Sequence, residues 1–169
     1  SHDTTVATNT LIQRKGKPVA LVTTKGFRDL IEIGRQIRPH LYSLQIDNPE
    51  PLVPRERRFE VGERIDAAGK EHRPVADADV DAVIAALQSS GVSSVAVCFL
   101  FAYLNPAHEK AVGERLARAL PGMHISLSSE VQPEFREYER FTTTVINAYI
   151  KPLAERYLSA LEARLIARG

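Results

Sequence analysis

The sequence predicts an α/β fold: a mainly parallel sheet with helices on both faces, an edge hairpin and a long C-terminal helix. Three observations carry that expectation. The run VSSVAVCFLF, residues 92–101, passes almost without a polar break. A strand apolar on both sides is covered on both sides, as in a parallel sheet packed between helices. Strand-like and helix-like periodicities alternate along the chain, the pattern of a layered α/β domain. From about Glu134 to Ala167 one helical pattern carries Val145, Tyr149, Leu153, Tyr157, Leu161 and Leu165, spaced so as to share a face.

Each element has its own justification. TTVATNTLIQRKG reads as a helix with polar N-terminal residues and Gly16 as its stop. PVALVTT, Pro18 to Thr24, is β-branched, apolar and flanked by Gly16 and Gly26, and reads as a strand. Phe27 to Ile37 carries Leu30, Ile31, Ile33 and Ile37, a helical spacing that Pro39 ends. PEPLVP, Pro49 to Pro54, is an extended connection, because each proline fixes φ and removes a donor. RRFEVGERID places Phe59, Val61 and Ile65 on alternate positions, the turn around Gly69 follows and EHRPV returns, which predicts an antiparallel edge hairpin.

DADVDAVIAALQSSG is the clearest helix, with Asp77 or Asp79 able to cap it, Val80, Val83, Ile84 and Leu87 on one face, and Gly91 at its end. Asn105-Pro106 starts the next helix, and Pro121-Gly122 breaks it after Leu120. HISLSSEV is a third strand. Pro152 lies inside the last helical pattern, where a kink near Lys151 is expected.

Composition narrows the function classes. A chain of 169 residues favours one domain, and 22 basic against 21 acidic side chains give a formal charge of +1. That balance lacks the basic excess of a nucleic-acid footprint, so no nucleic-acid partner is expected. No apolar run approaches the roughly 18 residues of a membrane span, so no membrane partner is expected either. The single cysteine, Cys98, sits in an apolar run and reads as a buried thiol, which fits a reducing, cytoplasmic setting.

The sequence holds no P-loop, dinucleotide-binding glycine fingerprint, GxSxG elbow or HExxH text. Its histidines, His2, His40, His72, His108 and His124, share no short ligand spacing, so no metal ligands are assigned. Two polar stretches stand out. In HDTTVATN, a helix beginning near Thr4 would offer free N–H groups and the Thr4 and Thr5 hydroxyls to an anion, with His2 beside them as a donor. The same text also reads as a plainly capped helix. In PEFREYERFTTTVINAY, Arg136, Glu137, Glu139 and Arg140 crowd one end of a helix, where sites gather in open α/β sheets. A solvated charged face is the alternative.

Three stretches together carry a resemblance: HDTTVATNTLIQRKG, ALVTTKGFRDLIEIGRQIRP with LY just after, and SSEVQPEFREYERFTTTVINAYIKPLAERYL. They resemble, in order and spacing, the N-terminal part of the hydantoinase A/5-oxoprolinase family, whose texts are HGTTVATNA, KGFRD with IGRQ, and REYER. Asp3 stands where that family has glycine, and Thr10 where alanine is common.

The resemblance implies part of an actin-like, ribonuclease H-like ATPase fold. It also implies an ATP-dependent enzyme that opens cyclic amides of the hydantoin or 5-oxoproline type through phosphoryl activation of the amide, with ATP and Mg²⁺ as cofactors. Ketone carboxylase subunits are relatives, and a second enzyme subunit is an expected partner. The family's glycine-rich phosphate loops are absent from residues 1–169. The chain is therefore expected to be one domain and a piece of a longer protein, inactive and without bound cofactor by itself.

The expected site has His2, Arg136, Glu139 and Arg140 in catalytic roles, and Thr4, Thr5 and Asn9 in cofactor binding. A rival expectation is an assembly domain whose last helix packs on another subunit. Burial of Tyr149, Leu153, Tyr157, Leu161 and Leu165 within the chain separates the two.

Overall fold

The computed structural model describes residues 3–14, 16–36 and 51–166, with the side chains of 3–7 and 160–166 outside that description. Its core is a four-stranded sheet: β1 (Val19–Thr24), β2 (Arg58–Val61), β5 (Ser94–Cys98) and β6 (His124–Leu127), ordered β2-β1-β5-β6. All three pairings are parallel. A separate antiparallel pair joins β3 (Arg64–Ile65) to β4 (Glu71–Arg73).

All positions of β1 and β5 are buried, and the strands' alternation sends their side chains to two cores. On one face Ala20, Val22, Val95 and Val97 meet Val80, Val83 and Leu87 of α3 (Asp77–Ser89) and Val112 and Leu116 of α4 (Ala107–Ala119). On the other, Val19, Leu21, Ala96 and Cys98 meet Phe141, Val145, Ala148 and Tyr149 of α6 (Glu137–Ile166). Full burial of one such Leu or Phe contributes roughly 1.5–3 kcal/mol, so the helix stripes fix the layers. Gly113 permits the approach of α4 to β6, since a Cβ there would lie 2.9 Å from the Leu127 side chain.

The expected layers and parallel sheet are present, with helices on both faces and the long final helix. Four local readings are corrected. The run containing Phe59, Val61 and Ile65 is two elements. Arg58–Val61 joins the main sheet beside β1 in parallel, and only Arg64–Ile65 belongs to the hairpin. Gly62 and Glu63 divide them: the Gly62 N–H donates to Asp79 Oδ2 at 2.8 Å, and the Glu63 carboxylate turns into the core. Asp79 is thus spent on Gly62, and Ala76 caps α3 without a side-chain bond. The helix read over 27–37 shortens to α2 (Leu30–Ile33), because Gly34 takes φ 54° and ends it; Ile37 and Pro39 lie outside the described residues. HISLSSEV is a strand only to Leu127, and Ser128–Val131 forms the short α5.

The other elements follow the sequence reading. The leading helix is α1 (Asp3–Ile12). Asn105 Oδ1 accepts the Ala107 N–H at 3.1 Å at the start of α4. The last helix, α6, runs for 30 residues through Pro152. Cys98 is buried, and burial pushes its thiol well above the usual range.

The segment after α1 is fastened to α6 at one point. The Gly16 N–H donates to Tyr149 Oη at 2.7 Å, and a Cβ on Gly16 would overlap the Tyr149 ring. Gly16→Ala is therefore expected to destabilise the chain by about 1–3 kcal/mol. In a Tyr149→Leu background the same change should cost little more. Urea unfolding of the four chains in the double-mutant cycle measures this coupling.

Candidate functional site

In an open parallel sheet, ligands bind beyond the carboxyl ends of the strands, where the strand order reverses. Here the chain leaves β1 for β2 on one side and returns to β5 on the other. The reversal therefore lies between the ends of β1 and β5, at Thr24 and Phe99–Leu100. Buried polar groups concentrate there.

Two networks spread from consecutive residues in the first turn of α4. The first begins at His108. Its Nδ1 lies 2.7 Å from Glu63 Oε2, and its Nε2 lies 2.7 Å from Glu71 Oε2. The other Glu63 oxygen accepts the Thr24 hydroxyl, and Thr24 Oγ1 accepts the Leu100 N–H at 3.1 Å. This series ties the ends of β1 and β5 to the hairpin. The Glu63 side chain is 0% exposed and that of Glu71 is 55% exposed, so the series runs from the core to the surface.

The second network begins at Glu109, which is wholly buried. Its Oε1 accepts the Phe99 N–H at 2.8 Å and the Ser128 hydroxyl at 2.6 Å, and its Oε2 accepts the Ser129 N–H at 2.8 Å. Ser128 Oγ in turn accepts Arg140 Nε at 3.2 Å. Arg140 is 0% exposed and donates further to Glu134 O at 2.9 Å and Phe99 O at 3.0 Å. Its guanidinium stacks 5.3 Å from the Tyr103 ring centroid and 5.5 Å from that of Phe141.

The residues expected for the site fall into two groups. Arg136, Glu139 and Arg140 come together at the start of α6. Arg136 is exposed, over the Phe135 ring at 5.3 Å, with φ 77°. Glu139 pairs with Arg35, and Arg140 is enclosed as described. His2 lies outside the described residues. Thr4 and Thr5 lie on α1 with their side chains outside that description, and Asn9 is exposed on the same helix.

Sequence reading passed over Thr24, Glu63, Glu71, Glu109 and Ser128. The available signal was polar residues interrupting apolar stripes: Glu63 between Val61 and Ile65, and Glu109 on the inward face of α4. Among the described residues no group of three or more His, Cys, Asp or Glu side chains is arranged to hold a metal ion.

The networks are sensitive to charge. Burial pushes the Glu109 carboxyl above the usual carboxylate range, and the bonds from Ser128, Phe99 and Ser129 pull it back only in part. Burial alone would lower the pKa of His108, but its bonds to Glu71 and Glu63 outweigh this and hold it above the ordinary histidine value. The stability that charged His108 contributes is complete below pH 6.5 and is lost as pH rises through its folded value. Unfolding free energy is expected to fall as pH rises above 6.5, and His108→Gln should flatten that fall in urea titrations at increasing pH. Glu109→Gln turns an amide NH₂ toward N–H and O–H donors, and is expected to cost about 1–3 kcal/mol in the same assay.

The same arrangement of strands and helices recurs in known proteins. The crystal structure of an ATP-dependent caprolactamase from Pseudomonas jessenii superposes with a TM-score of 0.86 at 36% identity, over 94% of this chain and 23% of that one. Caprolactamase subunit alpha of that organism is 37% identical over 96% of this chain and 24% of its own length. 5-Oxoprolinase 1 of Arabidopsis thaliana is 35% identical over 92% of this chain and 14% of its own, and the gamma subunit of an acetophenone carboxylase from Aromatoleum aromaticum is 34% identical over 99% and 25%. The chain thus spans a quarter or less of the length of these relatives. Residues 1–120 match the family described as the hydantoinase/oxoprolinase N-terminal region. With its sheet, its HDTTVATN and REYER texts and that match in agreement, the chain belongs to the hydantoinase/oxoprolinase N-terminal region family.

Proposed function

We propose that this chain is one domain of a longer, ATP-dependent enzyme that opens cyclic amides, acting through phosphoryl activation of the amide. The observation that carries the reading is the likeness to the ATP-dependent caprolactamase, at 36% identity and a TM-score of 0.86 over nearly the whole chain. ATP supplies a phosphoryl group that turns a poor amide electrophile into an activated one. Mg²⁺ belongs to this proposal as the nucleotide's counter-ion, with none of the described residues assigned as its ligand.

Within this chain, Arg136 is proposed as the contact to phosphate or to a substrate carboxylate, since it is exposed where α6 begins. Arg140 positions it: its guanidinium holds the Glu134 carbonyl, and its N–H donates to Arg136 O at 3.1 Å. Glu139 orients the same turn through its pair with Arg35. His2, Thr4, Thr5 and Asn9 are proposed to line the nucleotide side of the cleft. A cytoplasmic setting is part of the proposal, supported by the buried, unpaired Cys98.

A second reading, subunit assembly, is favoured by one observation. On α6, Tyr149 is buried and Leu153 half-buried, whereas Tyr157 is 37% and Leu158 54% exposed; the side chains of Leu161 and Leu165 lie outside the described residues. The first half of the helix stripe serves the core and the next turn does not. The subunit names of the caprolactamase and acetophenone carboxylase relatives support a second subunit as partner.

Calorimetric titration with Mg-ATP, run on this chain and on a protein of the relatives' length that contains it, tests the main reading. Binding is expected only in the longer protein, together with ATP-dependent opening of hydantoin, 5-oxoproline or caprolactam. Arg136→Ala in the longer protein should lower that turnover about tenfold or more, the loss of one charge-assisted hydrogen bond, without a change in Tm. Absence of ATP-dependent turnover on all three rings would overturn the proposal, and micromolar ATP binding by this chain alone would overturn the division of the site.

A further inference from the structure

We infer that Arg64 and Arg73, on the β3–β4 hairpin beside the β1–β5 reversal, form a recognition site for an oxyanion, a carboxylate or a phosphate group. The inference stands on the geometry of this chain and does not depend on which reaction the longer protein performs.

Arg64 is half-buried, with its guanidinium carbon 5.3 Å from the centroid of the Phe27 ring and 6.0 Å from that of Phe101. Phe27 follows the end of β1 and Phe101 follows the end of β5, so the two rings flank the point where the strand order reverses. Phe101 takes φ 55°, an uncommon conformation for a non-glycine residue that the surrounding structure must hold. A guanidinium laid against aromatic rings keeps its N–H edge free, and that edge matches two oxygens of one carboxylate or phosphate.

The charges around it are unbalanced in a specific way. Four carboxylates of the segment are bonded elsewhere. Glu60 accepts the Gly26 N–H at 2.6 Å, Glu63 serves Thr24 and His108, Asp66 accepts the N–H groups of Ala68 and Lys70 at 2.9 Å, and Glu71 serves His108. Among the described residues no carboxylate pairs with Arg64. The residue directly across the ladder from Arg64 is Arg73, which is exposed and likewise without a carboxylate partner among the described residues. Like charges directly opposite one another destabilise an antiparallel pair. An anion bound between the two would remove that repulsion, whereas a purely structural arginine staple would have no use for the second cation.

The Arg64 side-chain Nε–Hε resonance reports binding directly in a nitrogen–proton correlation spectrum of this chain. Sodium phosphate and sodium acetate are titrated separately, with sodium chloride at matched ionic strength as the reference. The expected result is a saturable shift of that resonance with at least one of the two oxyanions and none with chloride. Saturation by phosphate alone assigns a phosphate group, and saturation by acetate assigns a carboxylate. Arg64→Lys keeps the charge but loses the planar fork, and should weaken the apparent Kd, read in this variant from the backbone amide shifts of the β3–β4 hairpin, about tenfold. Arg73→Gln should weaken it severalfold while the backbone spectrum keeps its dispersion. A resonance that moves no further with phosphate and acetate than with chloride overturns the inference. So does an unchanged Kd in a folded Arg64→Lys chain.

Discussion

A buried carboxylate organises one end of this molecule. Glu109 has no exposed surface, and a polar group in such a place must have its hydrogen-bonding capacity satisfied. Its oxygens take the backbone N–H of Phe99 just after β5, the backbone of α5 at Ser129 and the hydroxyl of Ser128 in the same helix. Two elements are thereby held to the first turn of a third. Arg140 closes the arrangement from the opposite layer, reaching Ser128 from α6. The two helical layers, which otherwise meet the sheet on separate apolar faces, are thus joined by a polar connection around the strand ends.

The neighbouring His108 extends the same logic toward the hairpin. Because it follows directly before Glu109 in the first turn of α4, it points to a different set of partners, Glu63 and Glu71. One helical turn therefore supports both the β5–β6 side and the β1–hairpin side of the sheet's carboxyl edge. A small shift of that turn would be felt on both sides, because packed interiors transmit displacement more readily than they absorb it.

The layered fold was legible because its determinants are local. An unbroken apolar, β-branched run such as VAVC favours a covered strand, and the stripe of Val80, Val83 and Leu87 favours a helix face turned to an apolar partner. Two of the errors arose where a long-range bond decided the outcome. Nothing near Asp79 in the sequence says that its carboxylate will be taken by Gly62, and nothing near Glu63 says that it will meet Thr24 and His108. The REYER segment was legible as a crowded helix start. That one of its arginines is enclosed and the other exposed depends in part on the Phe99 carbonyl, 41 positions away.

The order of the strands also bears on how the chain reaches this state. β1 precedes the other described strands in the sequence, and it lies in the interior of the sheet between β2 and β5. The bond from Leu100 to Thr24 spans 76 positions and that from Gly16 to Tyr149 spans 133. Parallel pairings of such separation form only after long loops have closed, which slows folding and leaves early strands uncovered meanwhile. During synthesis VALVTT must therefore wait, apolar on both faces, until β2, β5 and the first turns of α6 have emerged. It is the segment on which a chaperone would have most to hold.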